Sequence, residues 1–190
     1  NENKEKKMEA LEYYSNALKL WQEIESGKEI ALCYRGIGQY YFLMNDFDKA
    51  LEYYKSALEI SNNVNDHRLV AKMYVTIGYF YEERRNYPEA ILNYSEAINL
   101  AEEYDLKDIQ ARAYNGYGNV NAHHGNFSDA LNFYFKSISF WEQTGNKIMY
   151  AYLCNNIGNV YSTLKNYEEA LAYYHFCYQI YEELGNKGKI

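Results

Sequence analysis

Written in rows of forty residues, the chain lines up with itself. Gly38, Gly78, Gly118 and Gly158 fall in one column, and Ala10, Ala50, Ala90, Ala130 and Ala170 in another. Ala31, Ala71, Ala111 and Ala151 form a third, Tyr14, Tyr54, Tyr94, Tyr134 and Tyr174 a fourth, and Phe47, Tyr87, Phe127 and Tyr167 a fifth. Several independent columns in register over four copies mean one supersecondary unit, repeated and stacked so that neighbours bury each other's apolar faces.

Each row reads as two helices. From Ile30 the residues Leu32, Tyr34, Ile37, Gly38, Tyr41 and Phe42 recur near helical spacing, and from Phe47 so do Ala50, Leu51, Tyr54, Ala57 and Leu58. A glycine inside a helix costs about 1 kcal/mol relative to alanine, so its return in every copy predicts that a neighbouring helix passes too close for a side chain. Asp46, Asn86, Asn126 and Asn166 occupy the break between the two helices and predict side-chain caps on the free N–H groups of the second one. Pro88, the single proline, sits just inside that helix, where a missing N–H does no harm. Between repeats, Gly145 and Gly185 share a column with Asn65 and Asp105, as expected for helices ending in a left-handed residue; Glu25 departs from that pattern.

The run Tyr34, Ile37, Gly38, Tyr41, Ala50, Tyr54 and Ala57 resembles the tetratricopeptide signature in residue type and spacing, and Tyr74, Ile77, Gly78, Tyr81, Ala90, Tyr94 and Ala97 match it again. Departures fall at Asn121, Ser137, Cys154 and Cys177, and the family's usual proline after the second helix is absent from every copy. A period of forty against the usual length of about 34 implies longer helices. The variant is similar to the long-repeat arrays of bacterial regulatory proteins, kinesin light chain and Pins-type adaptors. The resemblance implies an all-α fold: a right-handed α-solenoid of antiparallel helical hairpins with about nine helices. It is expected to run as a single array over residues 1–190, with 8–24 the second helix of a partial repeat and 28–64, 68–104, 108–144 and 148–184 four full repeats. Residues 185–190, GNKGKI, repeat the start of 145–150, GNKIMY, and are expected to begin a further repeat, as in a piece of a longer protein.

Composition narrows the functional classes. Apolar residues make up 48% of the chain and aromatics 18%, enough for a core, and no Ser/Gly-rich stretch marks a linker. A formal charge of −7 disfavours attraction to phosphate backbones or anionic headgroups, so no nucleic-acid partner is expected. No apolar run approaches the length of a membrane span, and residues 1–10 lack the apolar stretch of a signal peptide. Cys33, Cys154 and Cys177, odd in number and widely spaced, fit reduced core thiols better than disulfides or a metal site. A cytoplasmic location follows as the expectation.

The family's ligands usually lie along the concave surface lined by the first helix of each hairpin. Helical geometry puts Leu32, Arg35, Gln39, Phe42 and Leu43 on that face in repeat one, and Lys72, Val75, Tyr79, Glu82 and Glu83 in repeat two. Repeat three contributes Arg112, Asn115, Asn119, Ala122 and His123; repeat four contributes Tyr152, Asn155, Asn159, Ser162 and Thr163. Asn115, Asn119, Asn155 and Asn159 form a two-by-two set of amides suited to an extended peptide backbone; the alternative is that they are tolerated on a solvated face or tie adjacent helices together. Arg35, Lys72 and Arg112 set one cation in each of three repeats, suited to carboxylates, against which Glu82 and Glu83 count. Most of the 24 tyrosines fill repeat columns and are expected to pack with their hydroxyls reaching water; Tyr79 and Tyr152 are candidate anchors.

His123 and His124 are adjacent and point apart, so no metal is expected there, and no cofactor is expected anywhere. The chain carries no phosphate-binding G-x-x-x-x-G-K-[ST], no G-x-S-x-G and no H-E-x-x-H, which leaves catalysis without support. The expected function is binding of a protein or peptide partner in the groove. The alternative is a regulatory or self-association region of a larger signalling protein.

Overall fold

The computed structural model describes the backbone of residues 2–185 and the side chains of residues 8–185. The described residues form helices joined by three-residue turns: α1 (Glu2–Glu23), α2 (Gly27–Leu43), α3 (Phe47–Asn63), α4 (His67–Glu83), α5 (Tyr87–Glu103), α6 (Lys107–His123), α7 (Phe127–Gln143), α8 (Lys147–Thr163) and α9 (Tyr167–Glu183). The fold is all-α and built from helical hairpins of the solenoid type. Each full repeat is a pair of 17-residue helices. The expected start of a further repeat, apart from Gly185, lies outside the described residues.

α1 begins six residues earlier than the repeat pattern suggests, because Glu2–Lys7 is a run of Glu, Asn and Lys with good helix propensity but no apolar period to reveal it. The turns share one conformation. In the turn from α2 to α3 residue 45 is left-handed, and the N–H groups of Asn45 and Asp46 return to the carbonyls of Phe42 and Tyr41 at 3.0 and 2.9 Å, which satisfies two of the last carbonyls of α2. Glu25, Asn65 and Asp105 take the same left-handed geometry between repeats. The chemical departure at Glu25 is therefore no conformational departure. Arg85 and Lys165 adopt it too, in the column of Asn45 and Gly125, where no sequence signal announced it.

The caps differ from expectation. Asp46 accepts from the Lys49 N–H at 3.3 Å, but Asn86, Asn126 and Asn166 make no side-chain cap. Among the first helices Asp66 and Asn146 do cap, accepting from Leu69 and Met149 at 2.9 and 3.1 Å.

The chain divides into two compact units, Asn1–Tyr104 and Asp105–Ile190. In the first, Ala50, Tyr54 and Ala57 of α3 bury against Met73, Ile77 and Phe80 of α4. In the second, Ala130, Tyr134 and Ile138 of α7 bury with Leu153, Ile157 and Val160 of α8, joined by Cys154 and Cys177. All three cysteines are free and buried. In the α2–α3 hairpin the helices run antiparallel: Gly27 meets Val64 while Gly38 meets Tyr54.

Candidate functional site

The close neighbour of the column glycines is an aromatic ring. A Cβ built on Gly38, Gly78, Gly118 or Gly158 would lie 2.7, 2.7, 2.4 or 2.7 Å from the ring of Tyr54, Tyr94, Tyr134 or Tyr174, sixteen residues on in the second helix of the same hairpin. Each glycine thus makes room for a tyrosine laid across the first helix, and each ring carries its hydroxyl to that helix's outer stripe. Tyr54 donates to Gln39 Oε1 at 3.3 Å, Tyr134 to Asn119 Oδ1 at 2.8 Å and Tyr174 to Asn159 Oδ1 at 2.8 Å. These hydroxyls do not simply reach water, which corrects the sequence expectation for their column.

Repeat two is the exception that shows the logic. Its residue in the amide column is Tyr79, and the Tyr94 hydroxyl instead donates to Glu82 Oε2, one turn further on, at 2.6 Å. Glu82 is only 7% exposed, so the buried phenol has an acceptor and the buried carboxylate a donor. Burial pushes the Tyr54 hydroxyl up to about 12, an effect that the nearby Arg35 guanidinium opposes and Tyr79 adds to.

The five positions per repeat expected on the outer stripe are exposed or half-buried, apart from Glu82. Arg35, Gln39, Lys72 and Arg112 are exposed, and Tyr79 and Tyr152 are 44% and 42% exposed. The cations are not isolated. Arg112 lies over the Trp141 ring at 5.2 Å, and Lys72 is close enough to Asp66 to help hold that carboxyl below its usual range, after the larger effect of the Lys28 hydrogen bond. Tyr79 packs beside Phe42 with ring centroids 6.0 Å apart.

The amide set is divided between two tasks. Asn156, a residue absent from the sequence-based candidates, donates to Asn115 Oδ1 at 3.2 Å and to Asn119 Oδ1 at 3.3 Å, joining α8 to α6. Asn119 and Asn159 also hold tyrosines, whereas Asn155 is exposed and outside this network. The signal for Asn156 was available in its column, where Gly36, Thr76 and Gly116 are small and only the fourth copy carries an amide. Among the described residues no group of three or more His, Cys, Asp or Glu side chains is placed to hold a metal, and no helix is long and apolar enough to cross a membrane.

Comparison with known proteins bears on this arrangement directly. Two family models described as tetratricopeptide repeat match the sequence, one over residues 5–63 and 69–143, the other over 151–184. The chain belongs to the tetratricopeptide repeat family. No curated protein matches the sequence significantly. Among solved structures, BtubC (BKLC) from P. vanneervenii is 20% identical with a TM-score of 0.78, over 100% of this chain and 78% of that one. Aspartyl phosphate phosphatase F from Bacillus subtilis is 14% identical with a TM-score of 0.82, over 96% of this chain and 50% of that one. MamA is 19% identical with a TM-score of 0.61, over 90% and 91% of the two chains. This tetratricopeptide chain thus spans about half the length of the phosphatase, and the likeness to all three is one of fold. The family assignment supports a protein-interaction scaffold.

Proposed function

We propose that within a unit the outer stripe of the first helices receives an extended segment or helix of a partner protein, with Arg35, Gln39, Lys72 and Tyr79 as candidate contacts in the first unit and Arg112, Asn115, Asn119, Tyr152, Asn155 and Asn159 in the second. The observation that carries this reading is the stripe of α8. Asn155 is exposed beside Tyr152, one turn from Asn159, on a helix whose other sides are buried in the core. An exposed amide can pair with a peptide's N–H and C=O at once, and an exposed tyrosine supplies rigid apolar area. The engaged oxygens of Asn119 and Asn159 fix those side chains in place and so give the stripe a set shape before any partner arrives.

Asn155→Ala combined with Tyr152→Ala removes surface contacts without touching the tyrosine acceptors. Partners captured by the unaltered protein and confirmed by cross-linking to α8 should bind this variant at least tenfold more weakly, on the order of 1.4 kcal/mol. Equal binding by every such partner would remove the stripe as the site.

The second reading, a regulatory or self-association region of a longer signalling protein, draws on the phosphatase neighbour, of which this chain matches half. Sedimentation of the chain and of longer forms of the protein tests its self-association arm: a monomer throughout would eliminate it.

A further inference from the structure

The two cysteines of the α8–α9 hairpin fill positions that the other three repeats fill differently. Cys154 of α8 stands in the column of Tyr34, Tyr74 and Tyr114, and Cys177 of α9 in the column of Ala57, Ala97 and Ser137. Elsewhere a large ring on the first helix is matched with a small residue on the second. Repeat four alone carries a thiol at both places.

The register of the hairpin brings these positions together. Lys147 at the start of α8 pairs with Glu183 at the end of α9 at 2.6 Å, while Gly158 meets the Tyr174 ring, so the two helices run antiparallel. Cys154 lies seven residues after Lys147 and Cys177 six before Glu183, an advance of about 10 Å along each helix from the same end. Direction is fixed by repeat three. There Ser137, in the Cys177 column, donates its hydroxyl to the Ala111 carbonyl of the facing helix at 2.7 Å, and Ala111 is within one turn of Tyr114 in the Cys154 column. Cys154 and Cys177 are free and buried in one cluster with Ala151, Ile157 and Tyr181. Burial pushes the Cys154 thiol up to about 12, Cys177 adds to the rise, and the Tyr150 hydroxyl opposes it.

We propose that Cys154 and Cys177 are an oxidisable pair, reduced at rest, at which hydrogen peroxide closes a disulfide between α8 and α9. One thiol attacks the peroxide, becomes a sulfenic acid and releases water; the other then attacks that sulfur and releases a second water as the S–S bond forms. Two thiol hydrogens and two electrons thus pass to the peroxide. Buried thiols ionise late and attack slowly, so the reaction quickens as pH rises. The bridge joins the helix that carries Tyr152, Asn155 and Asn159 to the helix that supplies Tyr174. It forms without any partner, so this proposal and the binding stripe stand or fall independently.

The test treats the folded chain with hydrogen peroxide at mildly alkaline pH, blocks remaining thiols with iodoacetamide and digests with trypsin, which cuts at Lys165 between the two cysteines. Mass spectrometry should find the peptide 148–165 linked to 166–187, and dithiothreitol should separate them. The bridged chain should melt at a higher temperature than the reduced one. Cys33→Ala should form the same bridge. Cys177→Ala installs the residue that this column holds at Ala57 and Ala97, so it should keep a cooperative thermal transition while yielding no linked peptides and no rise in midpoint. Linked peptides that appear only in urea overturn the proposal, as does a bridge through Cys33 in place of this one. Sulfinic acid at either cysteine without a bridge, no reaction at either thiol of the folded chain, or a bridge that lowers the midpoint overturns it equally.

Discussion

At Gly118 two effects of opposite sign compete. Alanine there gains about 1 kcal/mol of helix propensity. Its Cβ, however, would stand 2.4 Å from the Tyr134 ring, which is buried and held by its hydroxyl to Asn119, so the ring has nowhere to go. Overpacking a core costs about 1–3 kcal/mol, and contact this close belongs at the upper end. Gly118→Ala is therefore expected to destabilise by about 1–2 kcal/mol in urea unfolding. Lys165 tests the opposite case. Its φ of 64° is a left-handed conformation that costs a side chain about 1 kcal/mol, and Gly125 fills the same column. Lys165→Gly should raise the thermal midpoint, and an unchanged or lower midpoint would show that the Lys165 side chain contributes contacts that outweigh the strain. Titration gives a third test. Tyr54 is pushed up to about 12 by burial, so between the unfolded phenol's ordinary value near 10 and that point the unfolded chain loses a proton that the folded chain keeps. Stability must fall as pH rises through this window, and Tyr54→Phe should move alkaline unfolding, followed by circular dichroism, to higher pH.

On the scale of helices, the hairpin is held by a repeated device: glycine on one helix, tyrosine ring across it, hydroxyl bonded one residue beyond the glycine or one turn further. Asn119→Ala leaves the buried Tyr134 hydroxyl without this acceptor and should cost about 1–2 kcal/mol, whereas in the Tyr134→Phe background the same change should cost less, only the longer Asn156 bond to Asn119 being lost there. Equal costs in both backgrounds would show that the bond adds nothing. The helices themselves were legible, because apolar spacing and the glycine and alanine columns report burial one residue at a time. What those columns could not report was direction. Of the amides of repeats three and four, Asn155 and Asn159 are exposed and Asn115 and Asn119 half-buried, yet the tyrosines that occupy Asn119 and Asn159 come from the following helix, and a single departure at Asn156 occupies Asn115 and shares Asn119. The left-handed Arg85 and Lys165 were hidden for a different reason: a cost of about 1 kcal/mol is small beside the burial that fixes each hairpin, so selection of residue type at the turn is loose.

For the molecule as a whole, the forty-residue period decided the fold because each copy supplies the same answer to the same packing problem, and errors in one copy do not disturb the register of the rest. The binding partner is not encoded in that way. The candidate contacts proposed on the exposed stripe differ from copy to copy, from Arg35 and Gln39 to Lys72 and Tyr79 to the amides, so no column reports them. The same local character governs energetics. Gly38 meets Tyr54 within the first unit and Gly118 meets Tyr134 within the second, and the two pairs share no residue. Each substitution to alanine strains a ring held in its own hairpin, through Gln39 in one case and Asn119 in the other. Their effects on total unfolding free energy should therefore add to within about 0.5 kcal/mol. The measurement is equilibrium urea unfolding of both single variants and the double variant, analysed over all transitions. A deficit of about 1 kcal/mol or more from the sum, twice the tolerance for independent sites, would show strain passing between hairpins and would contradict a fold stabilised pair by pair.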